Sequence, residues 1–350
     1  MISSIPPNPR FNLAEEKARQ VLLYFRVRSL PIDVRALIKA SNKCTLKRYS
    51  KLMVRHNFTL QDLIDAFGKD GAIIYDARKV KPYTIVYNDV DKPSTRITWT
   101  LAHELGHLVL KHHMDFDETR LARSGLTDNE YKVLDAEADA FAAELLAPVT
   151  VMISANWDSK DALMQHCGLS AVAARNRSRS IRKVKNFKEC YFKYEREIYS
   201  SFFNHIYMKY CVECKTFFVS REAIYCPICG RHNIIWKEGE ENIMKYSGVL
   251  VDKNSKAYTC PQCENEEIFA DGDHCMICGF NLINKCVGEP QYDQFGNLEE
   301  FTDSCGKILP GNARYCPYCG GQSSFYADGV LTNWKKAQQL EGSIFEEPPF

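Results

Sequence analysis

The chain has 350 residues, 45 Lys and Arg against 44 Asp and Glu, and a formal net charge of +1. That length leaves room for two or three domains, and the balanced charge singles out neither a polyanion nor an acidic surface as a partner. No run of about eighteen apolar residues occurs, so no transmembrane helix and no membrane partner are expected.

Residues 1–11 lack the basic start and apolar stretch of a leader segment, and a flexible lead-in and a cytoplasmic location are expected. A first helix is expected from Asn12 as cap through Glu15, Ala18, Val21, Leu22 and Phe25. Asp33 caps a second helix, and a third is predicted over Leu60–Phe67. Residues 71–76 and 83–87 read as paired hairpin strands, with 81–89 alternating as an edge strand above a cleft. Helices packed on one face of a small sheet give an α+β domain.

Next comes His103-Glu104-Leu105-Gly106-His107, an H-E-x-x-H string within a helical pattern. Two His four apart lie one turn apart on one helix face, so both imidazoles reach one metal ion. Glu104 is placed to take a proton from a water there, as a general base. A catalytic zinc takes three protein ligands and keeps one open position. The third ligand is assigned to Glu137, in a second strong helix former over residues 134–147 whose apolar stripe is Leu134, Ala138, Phe141, Ala142 and Leu145. Alanines around Glu137 and Gly106 on the motif helix allow the close approach that a short carboxylate ligand needs. Asp135 and Asp139 either orient a ligating imidazole from outside the ligand set or stand solvated. Tyr83, Tyr87, His112 and His113 are the candidate oxyanion donors, with the two His alternatively capping the helix C-terminus.

The run Thr84-Ile85-Val86-Tyr87-Asn88, then Trp99 through His107, then Glu137 through Pro148 resembles the ImmA/IrrE family of metallo-endopeptidases. Residues 30–37 resemble that family's N-terminal helix entry, so the likeness spans roughly residues 12 to 185. It implies a gluzincin-like, zincin-fold peptidase over 12–155 that cleaves a helix-turn-helix repressor and derepresses mobile-element, phage or stress genes. It also implies zinc on His103, His107 and Glu137, with Glu104 as base. Trp99 stands where the family more often has Phe.

Residues 156–210 read as a basic helix-turn-helix-like segment followed by a helical connector. Arg175, Arg177, Arg179, Arg182, Lys183 and Lys185 follow a Gly turn and a Ser cap. DNA contact by this helix is the lesser expectation, packing on the peptidase the greater.

Twelve of the fifteen Cys lie after residue 210. Cys211, Cys214, Cys226 and Cys229 form a paired C-x2-C pattern, and Cys260, Cys263, Cys275 and Cys278 repeat it 49 residues on. This spacing is that of zinc held by four thiolates. Cys286, Cys305, Cys316 and Cys319 are assigned to a third, irregular site, with 287–304 inserted in its first knuckle and Thr302 where a Cys is missing. The ribbons are bounded at 211–250, 251–283 and 284–325, with a C-terminal tail over 326–350 that is expected to be disordered from Leu340. Cys44, Cys167 and Cys190 are read as buried small hydrophobes. The expected load is one catalytic and two or three structural zinc ions.

Plentiful aromatics among many acids in the ribbons favour protein over nucleic acid as their partner. Two functions stand at this stage. One is a zinc endopeptidase acting on a repressor. The other is a non-catalytic zinc-ribbon binding protein, antirepressor or antitoxin-like, that works by capture.

Overall fold

Three short strands organise the first part of this computed structural model: β1 (Cys44–Arg48), β2 (Gly71–Tyr75) and β3 (Tyr83–Tyr87). The structure describes residues 5–112, 127–185, 193–237 and 246–344. The chain divides into two units, Met1–Ile206 and Tyr207–Phe350.

In the first unit β3 is the central strand, parallel to β1 and antiparallel to β2. All five of its residues are buried, so Thr84-Ile85-Val86 packs on both faces. This corrects the reading of 81–89 as an edge. The mistake came from Tyr and Thr counting as polar in an alternation that the fold buries throughout. The edge strands are β1, which the sequence pattern did not reveal, and β2.

Helices α1 (Phe11–Tyr24) and α2 (Val34–Ala40) precede the sheet, and α3 (Tyr49–His56) and α4 (Leu60–Phe67) lie between β1 and β2. Asp33 caps α2 by accepting from the Ala36 amide, as expected. The first helix begins at Phe11, so Asn12 lies inside it and is not its cap. Thr59 and Asp62 form a capping box on α4.

The motif helix α5 (Ser94–Val109) follows the sheet, and α6 (Asp128–Leu146) packs against both α5 and α1. Leu134, Ala138, Phe141, Ala142 and Leu145 of α6 are fully buried, which bears out the stripe. Gly106 sits at the α5–α6 contact. A Cβ there would meet the Phe141 ring at 3.1 Å and the Ala138 Cα and carbonyl at 3.2 Å. Glycine therefore sets how closely the two helices approach.

Helices α7 (Val149–Ala155), α8 (Lys160–Cys167), α9 (Ala171–Lys185) and α10 (Glu195–Ile206) complete the unit. Arg177 of α9 is buried and bonds Glu144 and the Ala147 carbonyl (Nε–O 3.0 Å), while Arg19 of α1 bonds the other Glu144 oxygen at 2.9 Å. Arg175, Arg179, Arg182, Lys183 and Lys185 are exposed.

In the second unit the first ribbon places β4 (Met208–Cys211) between β5 (Phe217–Val219) and β6 (Ile234–Ile235). The insertion in the third ribbon is a hairpin, β7 (Cys286–Tyr292) against β8 (Leu298–Thr302), with β9 (Gln322–Ser323) on its other side. Helices α11 (Ser324–Ala327) and α12 (Trp334–Ile344) occupy part of the segment expected to be a tail.

Ribbons one and three pair through their second knuckles. The Ile224 and Tyr225 amides donate to the Pro317 carbonyl at 2.8 and 3.0 Å, and the Arg314 and Tyr315 amides donate to the Pro227 carbonyl at the same distances. Each tyrosine ring lies over the other ribbon's glycine, Tyr225 on Gly320 and Tyr315 on Gly230. Both glycines have positive φ, +84° and +70°, so neither the conformation nor the space admits a side chain. The equivalent Gly279 of ribbon two has nothing within 4 Å.

Candidate metal centre

One turn of α5 separates His103 from His107, and their Nε2 atoms converge to 3.1 Å. Asp135 Oδ1, from α6, lies 3.6 Å from the first Nε2 and 3.4 Å from the second. These separations are long for hydrogen bonds. A tetrahedral zinc with bonds of about 2.05 Å has donor atoms about 3.4 Å apart, which the three spacings match. Asp135 Oδ1 is also a buried oxygen without a hydrogen-bond partner among the described residues. A buried orphan acceptor aimed at two imidazole lone pairs fits a cation, and the residues present therefore suit the implied metal.

The structure does not bring Glu137 to this cluster. Residues two apart on a helix point about 200° apart, so Asp135 and Glu137 cannot both face α5. Glu137 turns away and is fully buried. It accepts from the Arg10 amide at 2.7 Å, Arg10 Nε at 2.8 Å and Arg10 Nη2 at 2.9 Å, and its Oε2 lies 3.0 Å from His112 Nε2. Burial pushes its carboxyl up, but the bonds from His112 and Arg10 outweigh burial and hold it at about 2. Asp139, one turn beyond Asp135, shares the cleft face and meets His103 Nδ1 at 2.9 Å, which is the orienting role open to it in the sequence. The missed signal was helical phase: Asp135 and Asp139 stand four apart, matching the four-residue step of the His pair.

His112 is not a cleft donor. It is fully buried, with Nδ1 2.9 Å from His107 Nδ1. Tyr83 and Tyr87 are buried in β3, and His113 falls outside the described residues. Tyr131, one turn before Asp135 and not singled out from the sequence, lines the same cleft as His103, Glu104, Asp135, Asp139, Trp99 and the β2 residues Gly71, Ala72 and Ile74.

Glu104 is buried, and burial pushes its carboxyl up to about 7 against the pull of His103 and a bond from the Ile73 amide. Burial draws His103 down, but Asp135 and Asp139 more than reverse this and raise it to about 10. His107 is lowered to about 3, chiefly by burial. The cleft thus gathers carboxylates around two imidazoles and favours added positive charge.

The second unit holds three four-thiolate clusters on the residues expected: Cys211, Cys214, Cys226 and Cys229; Cys260, Cys263, Cys275 and Cys278; and Cys286, Cys305, Cys316 and Cys319. Neighbouring Sγ atoms lie 3.4–3.6 Å apart, close to the edge of about 3.8 Å for tetrahedral Zn–S4. Cys286 therefore does complete the third cluster across the inserted hairpin. Cys44 and Cys167 are buried, as expected, and Cys190 lies outside the described residues.

Residues 64–179 match the family model described as the IrrE N-terminal-like domain, of peptidase family M78. No curated protein matches the chain. The match takes in β2, β3, the motif helix α5 and the Asp135 helix α6, so residues 64–179 are similar to the IrrE N-terminal-like domain of ImmA/IrrE-type metallopeptidases, and three four-cysteine clusters that fit zinc ribbons follow in the chain.

Proposed function

We propose that the first unit is a zinc endopeptidase whose ion is held by His103, His107 and Asp135, and whose substrate is a helix-turn-helix repressor. The observation that carries this reading is the convergence of donor atoms from His103, His107 and Asp135, with His103 and Asp135 lining one cleft together with Glu104. A divalent ion bound there supplies Lewis acidity, acidifying a water and polarising the scissile carbonyl.

The protein's own groups do the rest. Glu104, poised near neutral pH by burial, takes a proton from the attacking water and returns it to the leaving amine nitrogen. Asp139 holds the His103 ring through Nδ1. Tyr131 offers a hydroxyl at the cleft wall toward the developing oxyanion. Strand β2 pairs only with β3 among the described residues, so its outer edge is open for an extended peptide to add as a strand.

The ribbons are closed four-thiolate sites and supply shape, not chemistry. The hairpin of ribbon three carries Glu289, Asp293, Glu299, Glu300 and Asp303 with no Lys or Arg over 286–303. This charge suits a protein partner and opposes a phosphate backbone.

The test uses the full-length zinc-loaded protein and a helix-turn-helix protein encoded beside it. Glu104→Gln should abolish cleavage while zinc content stays unchanged. Cleavage at the wild-type rate by Glu104→Gln would remove the catalytic reading. An unaltered biological output without cleavage would favour capture instead.

A further inference from the structure

The corrected placement of Glu137 exposes a chain of contacts behind the metal centre. It runs from Arg10, before the first helix, through Glu137 and His112 to the back of His107. Arg10 holds Glu137 with a bidentate fork at 2.8 and 2.9 Å and with its own amide at 2.7 Å. Glu137 Oε2 meets His112 Nε2 at 3.0 Å, and His112 Nδ1 meets His107 Nδ1 at 2.9 Å. His112 and Glu137 are fully buried and His107 nearly so.

With the His112 ring neutral, donor and acceptor capacity sets the direction of every bond in this chain. A carboxylate clasped by a guanidinium can only accept, so His112 Nε2 must carry hydrogen and donate. In the neutral ring, Nδ1 then has none and must accept. His107 Nδ1 must therefore be the donor, which leaves the His107 Nε2 lone pair bare. That is the atom facing His103 and Asp135.

We propose that Arg10, Glu137 and His112 are positioning residues that together lock His107 in the Nδ1–H tautomer and so preset its Nε2 to bind metal. The inference rests on reading His103, His107 and Asp135 as the ligands. His103 is set separately, by Asp139 at its own Nδ1. The two ligating rings are thus oriented by different carboxylates, one at the cleft and one through a relay that ends 127 residues upstream of Glu137. The chain ties metal affinity to the segment that leads into the first helix.

The test measures zinc affinity at the non-ribbon site of the full-length protein, by competition with a chromophoric chelator while the ribbons stay loaded. Histidine nitrogen NMR shifts of the same protein with that site empty give the His107 tautomer directly. His112→Phe and Glu137→Gln should each weaken zinc binding by about 10- to 100-fold and mix the tautomers. His112→Gln should stay within a few-fold of wild type, because its carbonyl accepts from His107 and its amide donates to Glu137. Arg10→Met, which alters only the outer, partly exposed end, should weaken binding about tenfold and covers the case in which the buried variants misfold. Wild-type affinity and an unchanged tautomer in His112→Phe and Glu137→Gln, with the ion lost in His103→Ala, would overturn the relay and leave the metal centre standing. An ion count unaffected by His103→Ala would overturn the metal reading itself.

Discussion

Replacing Arg177 by Met separates a structural role for the basic helix from a DNA-contacting one. Arg177 gives Glu144 one of its two buried cationic partners and the Ala147 carbonyl both of its side-chain donors, Nε at 3.0 Å and Nη2 at 2.6 Å. Glu144 keeps Arg19 Nη1 at 2.9 Å and the Val149 amide at 3.3 Å, so its charge would be only half uncompensated. Breaking a buried ion pair costs about 3–5 kcal/mol, and the surviving partner argues for the lower end. The orphaned carbonyl adds about 1 kcal/mol. The sum, about 4 kcal/mol, corresponds to a fall in Tm of roughly 8–16 °C for a unit of this size. Arg179→Met, at an exposed position of the same helix, should change stability by about 0.5 kcal/mol or less. Thermal unfolding of both full-length variants, followed through the Trp157 ring that stacks on His166, makes the comparison. Equal, small effects for the two variants would refute the buried network. Loss of DNA binding in Arg177→Met without loss of stability would restore the nucleic-acid role.

Other outcomes follow from single contacts. Tyr131→Phe should lower kcat by about 10²- to 10³-fold with KM little changed, measured on the cleaved repressor; an unchanged kcat would remove Tyr131 from the oxyanion site. Burial pushes His205 down to about 4, helped by His166, while the unfolded chain titrates near 6.5. The unfolded state therefore binds the extra proton between those values, so this contribution to stability is complete above pH 6.5 and is lost as pH falls toward 4. His205→Phe should flatten the first unit's stability profile in that window, and an identical profile would show that His205 is not responsible. Cys316→Ser breaks the third thiolate cluster, and because the Pro317 and Pro227 carbonyls each accept two amide bonds from the other ribbon of the pair, chelator should then strip ribbons three and one roughly tenfold faster or more, leaving ribbon two unaffected. Faster release from ribbon three alone would contradict the pairing.

The sequence displays most of what rests on local periodicity. The His pair, the buried stripe of α6, the caps at Asp33 and Ser170 and the C-x2-C pairs of the thiolate clusters follow from spacings of two to four residues, which backbone geometry fixes. What depends on the partner a face meets was not displayed. Asp135 and Glu137 are both acids on the same helix, and only the packing of α6 between α5 and α1 decides which one faces the imidazoles. Strand β1 is short, with Lys47 and Arg48 in it, and is defined by its pairing with β3 over a long sequence separation. The pairing of ribbons one and three needed coordinates too, although the shared Tyr-Cys-Pro-x-Cys-Gly at 225–230 and 315–320 marks its two halves.

Anomalous scattering at the zinc edge, from crystals of the full-length protein, bears most directly on the metal centre. The expected map has a peak about 2.0–2.2 Å from His103 Nε2, His107 Nε2 and an Asp135 oxygen, with Glu137 still clasped by Arg10. A peak bonded to Glu137 in place of Asp135, or none between the two imidazoles while the three thiolate clusters are filled, would contradict it.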